Sequence, residues 1–375
     1  MAKILVTAEN FAFGPIGKIL PIARELKEHG HELSFAGYGT SLQLANKFSF
    51  SKIYAIDTDE KNNTEKLCNI ICENDLLISS MDISSVKLAK QKNVPVVWVD
   101  CLFWFWNNIP SEILNVDLFI VENSLNNSIN KKKYFHKIKN VKLVGPIVGK
   151  TKKSERDKKA LVSFGGAEAL YWYQVKRKTG YPYVMTEIFT KMIDWGEFDF
   201  ITIATNQKIV NYLKKEYQDP RFNFECIPYQ DFLSELATTE ILITTPGLVA
   251  AEAAFYYQTP TIFLPASNNS QYIQLDKYRD LGLGIASIHL SDYMPRLELN
   301  GIPPHDSIRQ VMEQLSTFEK SKKLREKVGF KINELIQNRA EWSEKSVRNG
   351  EEFIKSKGGN GIDKAVELIE KLIVK

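Results

Sequence analysis

The sequence lacks most of what marks a secreted, membrane-spanning or nucleic-acid-coating chain. Its 375 residues hold only four cysteines, Cys68, Cys72, Cys101 and Cys226. None forms a C-x-x-C pair, so neither a disulfide framework nor a thiolate zinc site is indicated. Reduced, buried thiols are expected, and Cys68 and Cys72 are spaced to face one another on a helix. No apolar run reaches the ~18 to 20 residues of a membrane span. The start, MAKILVTAEN, reads as a strand and has no signal-peptide layout. Charge of one sign is also scarce. The 49 Lys and Arg nearly cancel the 45 Asp and Glu, and a net +4 is too small to indicate nucleic acid. Five histidines give no metal triad. His29 and His31 flank the helix-ending Gly30 and read as structural, while His136, His289 and His305 stand apart in sequence. The expectation is a cytoplasmic globular protein with no bound metal and no cofactor. Lys131–Lys133 and Lys150–Lys159 read as solvated surface and linker. Weak contact with a membrane surface, and a homodimer, stay open.

What is present is an ordinary globular composition, 44% apolar and 25% charged, in a chain long enough for two cores. Strand and helix signals alternate through residues 1–145. Apolar strands are expected at 3–7, 31–37, 52–56, 75–79, 94–99, 116–122 and 141–144. Amphipathic helices are expected at 17–28 and 41–48. Residues 146–159 are polar and aperiodic and read as a linker. A second series then begins, with strands at 160–164, 200–204, 222–226, 241–244, 261–264 and 284–288. Its helices fall at 183–195, 209–216, 232–238, 249–257 and 270–281. Residues 160–345 make this second domain. From Pro304 onward the chain reads as helical, with a tail at 346–375 that ends in a helix at 362–374. Repeated βα alternation with nearly continuous apolar strands points to doubly wound α/β domains.

The most informative stretch is EILITTPGLVAAEAAFYYQTPTIFLPASNNSQYIQ, residues 240–274. A buried strand runs into a Thr245-Pro246-Gly247 turn and then a small-residue helix. Such a helix start offers free N–H groups and a positive dipole end, which suit a diphosphate. Gly247, Leu248 and Val249 would meet the phosphates. Glu252, about one turn on, could accept hydrogen bonds from ribose hydroxyls. An ordinary αβ crossover would give the same pattern.

This segment resembles the donor-binding signature of GT-B glycosyltransferases, through Gly247, Glu252-Ala253, Thr259-Pro260, Phe263-Leu264-Pro265, Asn268-Asn269 and Gln271 or Gln274. The Gly-to-Glu spacing is similar to the branch holding the lipid II-forming N-acetylglucosaminyltransferase and the UDP-sugar hydrolase of pseudaminic acid synthesis. The Gly usual before Pro260 is replaced by Gln258-Thr259. Residues 14–45 and the WVDCLFWFW run also look similar to cytosylglucuronic acid synthase-like proteins. The resemblance implies two Rossmann-like domains with a ligand cleft between them, acceptor in the first and donor in the second. It also implies a terminal helix that crosses back onto the first domain.

The resemblance further implies that Gly165-Gly166 contacts the donor phosphate and Ile227 the nucleobase, with Thr245 and Gln271 beside them. Arg177, in the aromatic and basic stretch 170–183, has the charge to hold a diphosphate. In the first domain Asn10, Phe13 and Gly14 shape the loop after the first strand. The family's catalytic His falls at Pro15 here, which cannot accept a proton. Glu9 and Asp100, each ending a strand, are then the candidate bases. Phe103, Trp104 and Trp106 are candidates to line an acceptor pocket, with part of the run expected in the core.

The resulting reading is a glycosyltransferase that moves a sugar from a nucleotide donor, UDP-linked by resemblance, to a small acceptor, flat or nucleobase-like if the narrower resemblance holds. A nucleotide-sugar hydrolase, a 2-epimerase and a non-catalytic binding subunit stay open.

Overall fold

In a computed structural model the described residues are 1–168 and 179–374. The chain divides into two compact units. One holds residues 1–150, 228–230 and 354–375, and the other holds 151–227 and 231–353.

The first unit is built on seven parallel strands: β1 (Lys3–Ala8), β2 (Glu32–Gly37), β3 (Lys52–Ala55), β4 (Leu76–Ser80), β5 (Val96–Asp100), β6 (Leu118–Glu122) and β7 (Val141–Val144). Their order is β3-β2-β1-β4-β5-β6-β7. The order reverses between β1 and β4, and in doubly wound sheets ligands bind outside the strand ends at that reversal. Alternation splits the strand residues between two cores. Ile4, Val6, Ile78, Val97, Val99 and Ile120 face one side, and Leu5, Leu77, Trp98, Phe119 and Val121 face the other.

The second unit has β8 (Asp157–Gly165), β9 (Phe200–Thr205), β10 (Phe222–Glu225), β11 (Thr239–Thr244) and β12 (Thr261–Phe263), ordered β10-β9-β8-β11-β12. All pairings are parallel, and the reversal lies between β8 and β11. Two expectations need correction. β8 begins at Asp157, so the end of the expected linker is strand, paired to Thr239. Residues 284–288 contribute one isolated bridge, Phe263 to Ser287, instead of a strand.

The final helix, Ile362–Ile373, buries Ile362, Ala365, Val366 and Ile369 in the first unit's core, against the helix Gly14–Glu28. Its Glu370 is held by both helix-end histidines, His29 Nδ1 at 2.9 Å and His31 Nε2 at 3.1 Å. His31 Nδ1 accepts from the Ala2 amide, so the proton sits on Nε2 and is donated to Glu370. The segment before this helix passes so close to Gly145 that a Cβ there would collide with the Gly359 carbonyl. A Cβ on Gly361 would strike Gly145. No described helix is long and apolar enough to cross a membrane. None of the four cysteines is in a disulfide, but Cys72 is exposed and Cys68 half-buried, so only Cys101 and Cys226 are the expected buried thiols. The helix Thr64–Cys72 turns Leu67, Ile70 and Ile71 inward, which leaves the cysteine positions toward its outer side.

Candidate functional site

Parallel pairing carries every carboxyl end of β8–β12 to one edge of the second sheet. That edge holds Gly165 and Gly166 after β8, Ile227 after β10, Thr245 and Gly247 after β11, and Gln271 after β12. Only Arg177 of the expected donor residues lies outside the described residues.

Two backbone cradles flank the reversal. The helix Leu248–Tyr257 begins at Gly247, which has no side chain to cap its first N–H groups. The Thr245 amide and Thr244 hydroxyl both bond the Ser163 carbonyl, at 3.2 and 3.1 Å, which ties this turn to the end of β8. Beyond Ser163 the chain turns through Gly165 at φ +60° and Ala167 at φ +44°. Outside the strand ladder, the N–H groups of Gly166 and Ala167 find no backbone partner among the described residues. Gln271 bridges the neighbouring loops. Its amide oxygen accepts from the Ser267 amide and hydroxyl at 2.9 and 2.8 Å, and its Nε2 lies 3.5 Å from the Thr245 hydroxyl.

Glu252 departs from expectation. It sits about one turn into the helix, where the spacing puts it, but its side chain is fully buried. A ribose would meet it only after neighbouring side chains move.

In the first unit Glu9 continues from β1 at the reversal, its amide bonded to the Ser80 carbonyl of β4 at 2.9 Å. Its side chain is partly exposed. Burial, then the nearby Asp82, Asp59 and Asp57, push its carboxyl up to about 8. No described cation forms an ion pair with any of these four acids. Burial, then Asp59, also raises the Tyr38 hydroxyl well above its usual value.

Asp100 is wholly buried and already occupied. Its carboxylate accepts from Trp98 Nε1 at 3.2 Å, Trp106 Nε1 at 2.9 Å and the Leu102 amide at 2.9 Å. Burial outweighs these bonds and lifts its pKa to about 7. Its evident work is to fold the 101–106 loop.

The aromatic run divides. Phe103 is core, packed on Phe119 and Phe135 with ring centroids 6.2 and 5.5 Å apart, so it cannot line a pocket. Trp104 is also buried. Trp106, with Phe105 beside it, keeps partial exposure. Asn10 is a clamp: its amide oxygen accepts from the Thr40 amide and hydroxyl at 2.9 and 3.0 Å. Phe13 leans on the core, and Gly14 opens the first helix one turn before its expected start, with Pro15 inside the first turn.

Sequence reasoning missed several groups at these edges. Lys18 and Glu122 form a fully buried ion pair at 2.6 Å, and Glu122 also accepts from the Ile147 amide at 2.5 Å. They lie 104 residues apart, so no local signal joins them. Thr205, which no motif marks, holds the Gly165-Gly166 turn together with Asn206, whose strand-end position does mark it.

No protein-family model matches the chain, and no curated protein does. Solved structures do. The spinosyn forosaminyltransferase SpnP matches with a TM-score of 0.51 and 13% identity, each chain covered in full. The calicheamicin glycosyltransferase CalG4 matches at 0.50 and 15% identity, covering 100% of this chain and 99% of that one. The glycotransferase of kitacinnamycin matches at 0.50 and 13% identity over 99% of both chains. With two doubly wound parallel sheets and the same fold over the full length, this chain has the GT-B glycosyltransferase fold.

Proposed function

We propose that the protein transfers a sugar from a nucleoside diphosphate donor to a small acceptor. The carrying observation is the pair of backbone cradles at the β8–β11 reversal. Unpartnered N–H groups at a Gly turn and at an uncapped helix start meet a diphosphate's need for many fixed donors. The second unit takes the donor, with Gly165, Gly166, Thr245, Gly247, Leu248, Val249 and Gln271 around the diphosphate. Ile227 stands at the same sheet edge for the base. Two neighbours of like fold are a spinosyn forosaminyltransferase and a calicheamicin glycosyltransferase, which favours a natural-product acceptor.

The first unit takes the acceptor. Glu9 is the better base: it is partly exposed, its pKa is raised, and its carboxylate is not committed to structure, whereas Asp100 is enclosed by three donors. In the reaction the acceptor's proton passes to Glu9 as the acceptor atom bonds the anomeric carbon. The bond from that carbon to the diphosphate oxygen breaks, and the N–H cradles stabilise the charge that leaves. Trp106 and Phe105 offer faces for a flat acceptor.

Calorimetry with UDP, TDP and GDP, then product analysis with each corresponding sugar donor and an acceptor panel, tests the reading. Tight diphosphate binding and a glycosylated acceptor support it. Free sugar released without acceptor would make the protein a hydrolase, and a changed sugar on intact nucleotide an epimerase. Binding of none of the diphosphates would refute the assignment.

A further inference from the structure

We propose that Thr205 and Asn206 are the positioning residues of the phosphate cradle, holding two successive carbonyls of the Gly165–Ala167 turn so that the N–H groups behind them face the donor diphosphate. This rests on the diphosphate reading above. The described chain contains no cis peptide, so in each plane the N–H points opposite to the C=O. The Thr205 hydroxyl donates to the Gly165 carbonyl at 3.1 Å, and the other end of that plane is the Gly166 N–H. The Asn206 side-chain amide donates to the Gly166 carbonyl at 2.6 Å, and the other end of that plane is the Ala167 N–H. Both carbonyls are thus drawn toward the end of β9, and both N–H groups are turned away from it.

The arrangement works against local preference. Ala167 occupies the left-handed region at φ +44°, where its Cβ crowds the following carbonyl. A strained residue of that kind persists where its surroundings fix it, and the buried Asn206 is such a fixture. Asn206 has a second task, because its amide oxygen caps the helix Gln207–Glu216 by accepting from the Ile209 amide at 3.0 Å. Capping needs only that oxygen. The amide nitrogen is surplus to the cap, and it is the atom that reaches the turn.

The two tasks can therefore be separated by substitution. Asn206→Ser keeps a capping oxygen and removes the donor. Asn206→Asp keeps the cap and sets a carboxylate against the Gly166 carbonyl, which should turn the plane over. Thr205→Val removes the other donor at nearly constant shape. Each variant is titrated calorimetrically with the diphosphate that wild type binds best among UDP, TDP and GDP, and with the matching nucleoside. Thermal melting without ligand reports the fold. Asn206→Ser and Thr205→Val should weaken diphosphate binding roughly tenfold, the loss of about one oriented hydrogen bond, and Asn206→Asp should weaken it more. Nucleoside affinity and the ligand-free melting temperature of Asn206→Ser should match wild type. Unchanged diphosphate affinity in both Asn206→Ser and Thr205→Val overturns the inference and leaves the donor reading standing. An equal loss for nucleoside and diphosphate also overturns it, since the role would then be structural. A wild-type protein that binds no diphosphate refutes the donor reading, and the inference with it.

Discussion

Replacing Glu9 by Gln should stabilise the protein in alkaline solution while it removes the proposed base. Gln is neutral and close in shape, so it mimics the protonated acid at every pH. The Glu9 carboxyl rises from 4.5 to about 8 on folding. At about 1.4 kcal/mol for each tenfold change in proton affinity, that rise sets an upper bound of about 5 kcal/mol. Partial exposure screens the group, so about 2 to 3 kcal/mol is expected. The sign follows from linkage. Below about pH 4.5 the acid is protonated in both folded and unfolded chains, and wild type and variant differ little. Between about 4.5 and 8 the folded chain binds the extra proton, so wild type loses stability as pH rises. Above about 8 the gap is constant, with Glu9→Gln the more stable protein. Urea unfolding of both proteins at about pH 5, 7 and 9 measures the gap. The same residue should impose a pH–rate profile whose acid limb bends near 8, and turnover in Glu9→Gln should fall by roughly 10²- to 10⁴-fold. A stability gap that is identical at pH 5 and pH 9 would refute the buried, raised-pKa carboxyl, and with it the case for Glu9 as the base.

Gly145→Ala should cost about 3 kcal/mol, since the added methyl group meets the Gly359 backbone and no flexible side chain can yield; a urea midpoint equal to wild type would show that the returning segment lies elsewhere. Lys18→Met should cost about 3 to 5 kcal/mol by leaving Glu122 charged and unpaired, and Lys18→Met with Glu122→Leu should recover most of it, measured by the same unfolding curves. Glu252→Ala should weaken diphosphate nucleoside binding by roughly 1 to 3 kcal/mol if the ribose reaches this carboxylate; calorimetry showing unchanged affinity would leave Glu252 as a buried structural acid.

The architecture was legible in the chain alone, because hydrophobic period is a local property. Runs such as Val96–Val99 and Ile241–Ile243 are apolar at successive positions, and only strands covered on both faces need that. The amphipathic stripe of Ile362–Ile373 likewise required a core to cover it, and the helix is buried along Ile362, Ala365, Val366 and Ile369. The donor segment was legible for the same reason: strand, Gly turn and helix are contiguous in the chain. The tertiary structure alone decided which polar groups are spent on the fold and which remain for a ligand. Glu9 and Asp100 look alike in sequence, each an acid ending an apolar strand. One lies among other carboxylates with its side chain partly open, while the other is enclosed by Trp98, Trp106 and the Leu102 amide. The WVDCLFWFW run could not show which ring faces inward, because a loop has no period to read. The Lys18–Glu122 pair and the Asn206 hold on Gly166 join residues 104 and 40 apart. A contact across that distance is set by how the strands pair and on which face each side chain falls, and no local pattern encodes either.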